Sequence, residues 1–168
     1  MKNMNKIPEL LAPAGNLETF YSVINAGADA VYLGGELFGA RAYANNFSTQ
    51  ELLLAIDYAH LWNKKVYLTV NTLVKNSELN DQLIQYIQPL YEAGLDAVII
   101  QDLGVAKLLH LHFPNLDLHG STQLSITSAQ GANYAKELGF TRIVPAREIS
   151  LTELKQMKDE TTIEIVIT

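Results

Sequence analysis

Side chains that bind anions or transfer protons recur in this sequence directly after short apolar runs. Arginine suits carboxylate and phosphate ligands because its planar guanidinium donates two parallel hydrogen bonds, and carboxylates and imidazoles serve as general acids and bases. The candidate substrate-binding residues are Glu36, Arg41, Asn46, Gln101, Gln123 and Arg147. The candidate catalytic residues are His119, Asp102 and Glu148. This pattern predicts a polar site for a small anionic substrate.

Two other interpretations of these residues remain open. His119 and Ser121, together with Asp102, would form a hydrolase arrangement, since residues two apart on a strand point the same way. No strained G-x-S-x-G elbow surrounds the serine, which favours a hydrogen-bonded histidine and a serine that starts a helix. Arg147, Glu148 and Asp102 are equally open to a structural role, in which they cap helices or pair with one another.

Composition excludes several kinds of chemistry within this chain. It has no cysteine, so it contains no disulfide framework, no cysteine nucleophile and no thiolate-held cluster. The formal net charge of -6 argues against broad, sequence-independent binding of nucleic acid by these residues alone. His110 and His112 lie two apart on a predicted helix and face different directions, so we predict no metal site.

The amino-terminal residues and the hydropathy pattern indicate where the protein resides. Residues 1–6 carry charge, but no apolar region follows them that would form a signal peptide. No apolar run approaches the length of a membrane span. We therefore expect a cytoplasmic protein without membrane contact.

Apolar runs alternate with amphipathic segments along the whole chain. The predicted strands are Glu9–Ala12, Ala28–Leu33, Val66–Val70, Asp96–Ile100, Leu116–His119, Arg142–Val144 and Ile163–Ile167. Helices are predicted to start at Asn16 and at two capping boxes, and to cover about Ser77–Ala93, Leu103–His112 and Ser128–Leu138. The capping boxes are Ser48–Glu51 and Ser150–Glu153. Pro89 lies inside the third helix pattern and predicts a kink or an early end there.

A short internal repeat supports the alternation of helix and strand. The segment Ala26–Val31 is matched by Ala93–Val98, and Leu138–Ile143 is a weaker third copy. Each copy places a helix-ending glycine just before a strand. The period is too irregular for a solenoid, so the repeat indicates recurring βα units.

Seven strands alternating with six helices predict an all-parallel α/β sheet. Pro13–Asn16, after the first strand, is not the G-x-G-x-x-G fingerprint of a dinucleotide-binding sheet, so we predict a parallel (β/α)8, TIM-barrel-like fold. Such barrels typically need about 250 residues. We therefore expect residues 1–168 to be a single domain, the N-terminal part of an incomplete barrel. Its first and seventh strands would have free edges, which predicts that the chain associates with itself or that the seventh strand is displaced.

Five motifs spread along nearly the whole chain point to a known family. They are Pro8–Gly15, Ala26–Gly35, the loop from Arg41 to Phe47, Ser121–Gln123 and Ala146–Glu148. In combination they resemble the peptidase U32 family, also called the collagenase-like protease family. The chain departs from the family pattern at Pro145, where members more often have an aliphatic residue.

The resemblance implies two alternative activities for the full-length protein. Some members take part in the hydroxylation of tRNA, ribosomal RNA or ubiquinone precursors, and prephenate is implicated as hydroxyl donor for some of them. By this resemblance the full-length protein would hydroxylate a tRNA uridine, with Arg41 and Arg147 binding an anionic donor. Other members are described as proteases, which implies peptide-bond hydrolysis with His119 and the nearby acids activating water.

The resemblance also implies a cofactor outside this chain. The hydroxylating members use cysteines that hold an iron–sulfur cluster, and the family's cysteine signature is expected to begin after Thr168. The 168 residues by themselves are therefore expected to be inactive in cluster chemistry. A third alternative is that this segment is a scaffold and that all chemistry lies elsewhere in the protein.

Overall fold

A parallel β-sheet forms the centre of the molecule in the computed structural model, which describes residues 7–39, 46–75, 79 and 81–167. Each strand pairs with the next one in the chain, so the sheet curves into part of a barrel. The strands are β1 (Leu11–Ala14), β2 (Ala30–Gly34), β3 (Lys65–Val70), β4 (Ala97–Ile100), β5 (Asp117–Gly120), β6 (Phe140–Ile143) and β7 (Glu164–Ile165). The predicted all-parallel, barrel-like α/β fold is confirmed.

Helices follow the strands in regular alternation. They are α1 (Leu17–Asn25), α2 (Thr49–Leu61), α3 (Asp81–Glu92), α4 (Leu103–His112), α5 (Ala129–Glu137) and α6 (Leu151–Glu160). A short 3₁₀ turn, Thr122–Leu124, follows β5. Within the described ranges no helix combines the length and the apolar character needed to cross a membrane.

The predicted helix starts are confirmed by their caps. The Ser48 hydroxyl accepts a hydrogen bond from the Glu51 N–H at 3.3 Å, and the Glu51 carboxylate accepts one from the Ser48 N–H at 2.9 Å. Ser150 and Glu153 repeat this reciprocal pair before α6. The Asn16 side chain caps α1 by accepting from the Thr19 N–H at 2.8 Å. Caps of this kind each stabilise a helix by about 1 kcal/mol.

The internal repeat has a structural role at the amino ends of the strands. Asp29, just before β2, accepts a hydrogen bond from the Leu10 N–H at 3.0 Å, next to β1. Asp96 holds the same position before β4 and accepts from the Val66 N–H of β3 at 2.8 Å. The helix-ending glycines of these copies have positive φ angles, 104° at Gly27 and 92° at Gly94, which glycine adopts without strain. Each copy therefore ties one strand to its neighbour.

Two faces of the sheet bury different amounts of apolar surface. The outer face packs against the helices in one large core that includes Phe20, Leu68 and Ile87. The inner face carries a small separate cluster of Ala30, Tyr67, Ala97 and Ile99. Because side chains alternate along each strand, the remaining inner positions are open to polar groups.

Several predicted boundaries are wrong by one to three residues. The first strand begins at Leu11 rather than Glu9, and the last is limited to Glu164–Ile165. The predicted early end at Pro89 is also wrong, because α3 continues to Glu92 and the Ala93 N–H still donates to the Pro89 carbonyl at 3.1 Å. A proline near the end of a helix removes a single backbone donor, which the last turn tolerates.

Candidate functional site

A pocket of about 280 Å³ opens at the carboxyl ends of the strands. The ends of the seven strands and the segments that follow them form its wall. The polar side chains that line it are Asn46, Thr69, Asn71, Ser121, Thr122 and Arg147. Its apolar surface includes Leu11, Pro13, Tyr32, Ile99, Val144 and Val166. Ligands of parallel α/β barrels bind at this end, so the location agrees with a binding site.

The charge on the described pocket wall is entirely positive. Arg147 is the single charged side chain among the described residues that line it, and no carboxylate belongs to that set. The guanidinium is exposed on the rim and donates hydrogen bonds in a planar fork that matches carboxylate or phosphate oxygens. The wall also contains uncharged amides and hydroxyls, of which the Thr69 hydroxyl donates to the Leu33 carbonyl at 3.2 Å. The pocket is therefore suited to a small anion that also has an apolar part.

The segment after β2 supplies one wall of the pocket. Phe47 returns to the end of β2 and forms an isolated bridge with Gly35. Its N–H donates to the Gly34 carbonyl at 3.0 Å, and its carbonyl accepts from the Glu36 N–H at 3.1 Å. These bonds place Asn46 against the pocket although it is more than ten residues from the strand end.

Ser121 forms the buried floor of the pocket. Only 4% of the residue is exposed, and its N–H donates to the Ile100 carbonyl at 2.8 Å, which joins it to β4. Its hydroxyl oxygen accepts from the Gln123 N–H at 3.2 Å and so caps the 3₁₀ turn. The hydroxyl proton keeps the freedom to point at a bound acceptor.

The structure brings two of the candidate substrate-binding residues, Asn46 and Arg147, to the pocket. Glu36 and Gln123 lie on exposed segments near it, and Gln101 is half-buried at the end of β4, but none of the three lines the pocket. Arg41 lies outside the described residues. Thr69, Asn71, Ser121 and Thr122 complete the polar part of the described wall, and polarity at strand ends is the signal that points to them.

The candidate catalytic residues lie apart from one another. Asp102 caps α4, where its carboxylate accepts from the Val105 N–H at 2.9 Å, and Glu148 is exposed beyond β6. His119 lies within β5 and is 4% exposed, with its ring edge-on to Tyr67 at 4.7 Å between centroids. Burial, with the charge of Arg142 acting in the same direction, lowers the pKa of His119 to about 3. This imidazole is neutral at pH 7 and a very weak base.

An ionic cluster fills the amino half of the barrel interior. Arg142 of β6, whose side chain is 8% exposed, donates to the Glu164 carboxylate at 2.7 Å and to the Glu9 carboxylate at 3.3 Å. The Tyr67 hydroxyl donates to Glu9 at 2.9 Å and accepts from Arg142 at 3.2 Å. The cluster joins β6 and β7 to the residues before β1. Sequence analysis missed it because Glu9 and Arg142 are 133 positions apart.

Glu9 and Tyr67 of this cluster are each held in one protonation state. Burial alone would raise the pKa of Glu9, but hydrogen bonds from Arg142 and Tyr67 and the charge of Arg142 hold it below its ordinary value. Burial raises the pKa of Tyr67, and the charge of Glu9 adds to that rise. At neutral pH the cluster therefore consists of a carboxylate, a neutral phenol and a guanidinium, each with partners.

The chain has no cysteine for an iron–sulfur cluster, and its described residues do not form a site for another metal. The sequence has no cysteine, and no three histidine, aspartate or glutamate side chains of the described residues gather around a common point. The His112 Nδ1 instead lies 2.9 Å from the Leu108 carbonyl on its own helix. Any such group in the full-length protein would need ligands from other residues.

Residues 15–168 match the model of peptidase family U32, and the chain belongs to that family. The tRNA hydroxylation protein P1 of Bacillus subtilis (strain 168) is 37% identical over 162 residues, which are 96% of this chain and 38% of that protein. The 23S rRNA 5-hydroxycytidine C2501 synthase of Escherichia coli (strain K12) is 39% identical over 161 residues, 95% of this chain and 24% of the synthase.

A solved structure supports the same fold. The U32 peptidase Mk0906 superposes with a TM-score of 0.77 at 12% identity, covering 99% of this chain and 70% of that one. At this identity the likeness concerns the fold. The chain spans well under half the length of the two relatives compared above.

Proposed function

We propose that the full-length protein takes part in the hydroxylation of tRNA, at uridine, and that the pocket binds a small anionic molecule that serves as the hydroxyl donor. The relatives named for tRNA and ribosomal RNA hydroxylation support the reaction class. The observation that carries the site is the pocket itself, in which Arg147 is the single charged side chain among the described lining residues.

Arg147 would fix the orientation of the donor. A guanidinium on the rim pairs with a carboxylate of the ligand and leaves the rest of the molecule to enter the pocket. Tyr32, Ile99 and Val144 offer apolar contact inside. The Ser121 hydroxyl, buried at the floor, would donate a hydrogen bond to a polar atom at the inner end of the ligand.

The other parts of the reaction are assigned to the full-length protein. The net charge of -6 disfavours tRNA binding by this chain alone, because nucleic-acid affinity depends on cations near the phosphates. An iron–sulfur cluster, when bound by the full-length protein, would supply electron transfer, and this chain contributes no ligand to it. A tRNA substrate would place the protein in the cytoplasm.

The test uses full-length genes expressed in an Escherichia coli strain that has no tRNA uridine hydroxylation of its own. Mass spectrometry of digested tRNA would measure 5-hydroxyuridine and its derivatives. We expect the wild-type gene to restore them and Arg147→Ala to lower them at least tenfold. Lys155→Ala removes an exposed cation that pairs with Asp159 on α6 and is the matched control. A wild-type gene that restores no hydroxylated uridine would contradict the proposal.

The second candidate function is peptide-bond hydrolysis, which the name of the family and of the solved relative favours. In this alternative His119, Asp102 and Glu148 would activate water. The buried position of His119 and its pKa of about 3 speak against a role as general base. The alternative predicts gelatin cleavage by the full-length protein that His119→Ala abolishes, and activity that survives this substitution would remove these residues from it.

Self-association through the strand edges is a further part of the proposal. In the described part of the chain β1 pairs only with β2, and β7 only with β6. Unpaired parallel edges offer backbone donors and acceptors to another strand. Light scattering of the 168-residue chain would show a dimer or larger species, and a monomer at all concentrations would contradict self-association.

A further inference from the structure

A tight contact joins α3 to the end of β2. Tyr86 of α3 is 7% exposed, and its hydroxyl lies directly over the backbone of Gly35. A Cβ atom on residue 35 would lie 1.8 Å from the Tyr86 hydroxyl oxygen and 3.2 Å from Leu52 Cδ1. Because no pair of heavy atoms tolerates 1.8 Å without bonding, a side chain at residue 35 and the tyrosine hydroxyl exclude each other. We call this the Gly35–Tyr86 contact.

The Tyr86 hydroxyl is buried beside the residues that follow β2. Among the described residues it is the one buried side-chain polar atom with no hydrogen bond of normal geometry, although the Leu37 backbone interacts with it and acts to lower its pKa. Burial has the larger effect and, together with the charge of Glu36, raises the pKa of Tyr86 to about 12, so the phenol stays neutral. The hydroxyl therefore contacts Gly35 and lies next to the Leu37 backbone.

The contact lies at the base of the segment that forms one pocket wall. The Phe38 ring packs against the Tyr86 ring with 5.9 Å between centroids, and the Thr72 hydroxyl donates to the Phe38 carbonyl at 3.1 Å. Phe38 has a φ of 60°, in the left-handed region that a phenylalanine rarely adopts. Gly39 follows Phe38 and lines the pocket.

We propose that Tyr86 is a positioning residue: its ring and hydroxyl press against Gly35 and Phe38 and fix residues 35–39 together with Phe47, which pairs with Gly35. The positions of these residues set the pocket wall at Gly39 and Asn46. The effect on activity rests on the proposed function, whereas the effect on the segment does not. Tyr86 lies outside the pocket and acts only through these neighbours.

The structural test compares hydrogen exchange in the full-length wild-type protein and in three variants. Gly35→Ala is expected to speed exchange of the Glu36 and Phe47 amides at least tenfold, because the new methyl group collides with the tyrosine hydroxyl. Tyr86→Phe alone removes the hydroxyl that presses on Gly35, so we expect faster exchange of the same two amides than in wild type, and unchanged exchange would contradict the positioning role. The double variant Gly35→Ala/Tyr86→Phe removes the atom at 1.8 Å and keeps the ring carbon at 3.1 Å, and we expect its exchange to return to within threefold of Tyr86→Phe alone. The amides of Val98 in β4 and Leu118 in β5, which do not pair with β2, are expected to stay unchanged throughout.

Two control variants separate this contact from general effects of the same substitutions. Gly131→Ala adds a methyl group inside α5, where the nearest atoms would be 3.4 Å away, and is expected to leave the Glu36 and Phe47 amides unchanged. Tyr91→Phe removes a hydroxyl from the same helix as Tyr86 and is not expected to rescue Gly35→Ala.

The functional test measures tRNA hydroxylation by the same variants in the complementation assay. We expect Gly35→Ala to lower it at least tenfold and the double variant to recover it to within threefold of Tyr86→Phe. Failure of Tyr86→Phe to rescue either the exchange or the hydroxylation of Gly35→Ala would overturn the inference, as would unaltered hydroxylation in Gly35→Ala. If the wild-type gene restores no hydroxylation, the proposed function fails, while the exchange data still decide whether the contact fixes the segment.

Discussion

The polar groups in the two halves of the barrel interior differ in what they contact: in one half they bond to one another, and in the other they face the pocket. In the amino half, Glu9, Tyr67 and Arg142 satisfy one another and Glu164 completes the set. In the carboxyl half, Arg147 is exposed and the Ser121 hydroxyl keeps a proton to donate at the pocket floor. Paired groups in a dry interior rigidify a structure, whereas groups that face a pocket are available to a ligand. We therefore propose that the amino half serves stability and the carboxyl half serves binding.

The largest effect is expected from Arg142→Met. The substitution leaves the Glu9 carboxylate partly buried without its guanidinium partner, and breaking a buried ion pair costs about 3 kcal/mol where one partner remains partly exposed. Urea denaturation at pH 7 would measure this loss in the free energy of unfolding. A loss below about 1 kcal/mol, the range of surface pairs, would show that the cluster does not hold the amino half together.

The pH dependence of the free energy of unfolding also tests the amino half, because it depends on the protonation of His119. Its pKa is about 3 in the folded protein, against 6.5 as its ordinary value. At a pH between these two pKa values, His119 binds a proton in the unfolded chain but not in the folded protein. The free energy of unfolding therefore falls as pH decreases. This contribution is complete above pH 6.5 and decreases by about 1.4 kcal/mol per pH unit below it.

The matched variant is His119→Phe, which keeps an aromatic ring against Tyr67 and cannot be protonated. Between pH 6.5 and pH 5 we expect wild type to lose about 2 kcal/mol more than the variant. Denaturation series at these two pH values, for both proteins, would give the difference. Parallel curves would mean that His119 accepts a proton in the folded state, contrary to its burial beside Arg142.

A smaller effect is expected at the pocket floor. Ser121→Ala removes a hydroxyl that caps a single 3₁₀ turn, so we expect a loss of roughly 0.5 kcal/mol, at the low end for caps. Ser48→Ala, at the full capping box of α2, is the comparison and should cost about 1 kcal/mol. Thermal denaturation would show which of the two variants loses more stability. A larger loss in Ser121→Ala than in Ser48→Ala would mean that Ser121 serves mainly to stabilise the fold.

Local features of this molecule were predictable from sequence, and long-range ones were not. The caps at Asn16, Ser48 and Ser150 depend on residues three positions away, and all three predictions are confirmed. The parallel fold follows from the alternation of apolar runs and helices. The partners of Arg142 depend on the closure of the barrel, which brings Glu9 beside β6 and leaves no local pattern in the sequence.

The position of His119 shows how far the site could be predicted from the sequence. The fifth strand begins and ends one residue later than predicted, so His119 lies inside β5 instead of at its tip. Because side chains alternate, a polar residue on the inner face looks the same in sequence whether it lies in the interior or at the rim. Arg147 could be placed at the rim from the sequence because it follows the end of β6 by several residues. Asn46 reaches the pocket by the backbone bonds of Phe47, and spacing alone does not show them.

The division between the two halves is tested most directly by Arg147→Ala in the full-length protein, measured for both stability and tRNA hydroxylation. Arg147 is exposed on the rim, so we expect the free energy of unfolding to change by less than about 0.5 kcal/mol. Hydroxylated uridine should fall at least tenfold in the same variant. Hydroxylation that persists at the wild-type level in a stably folded Arg147→Ala protein would contradict the assignment of the carboxyl half to substrate binding.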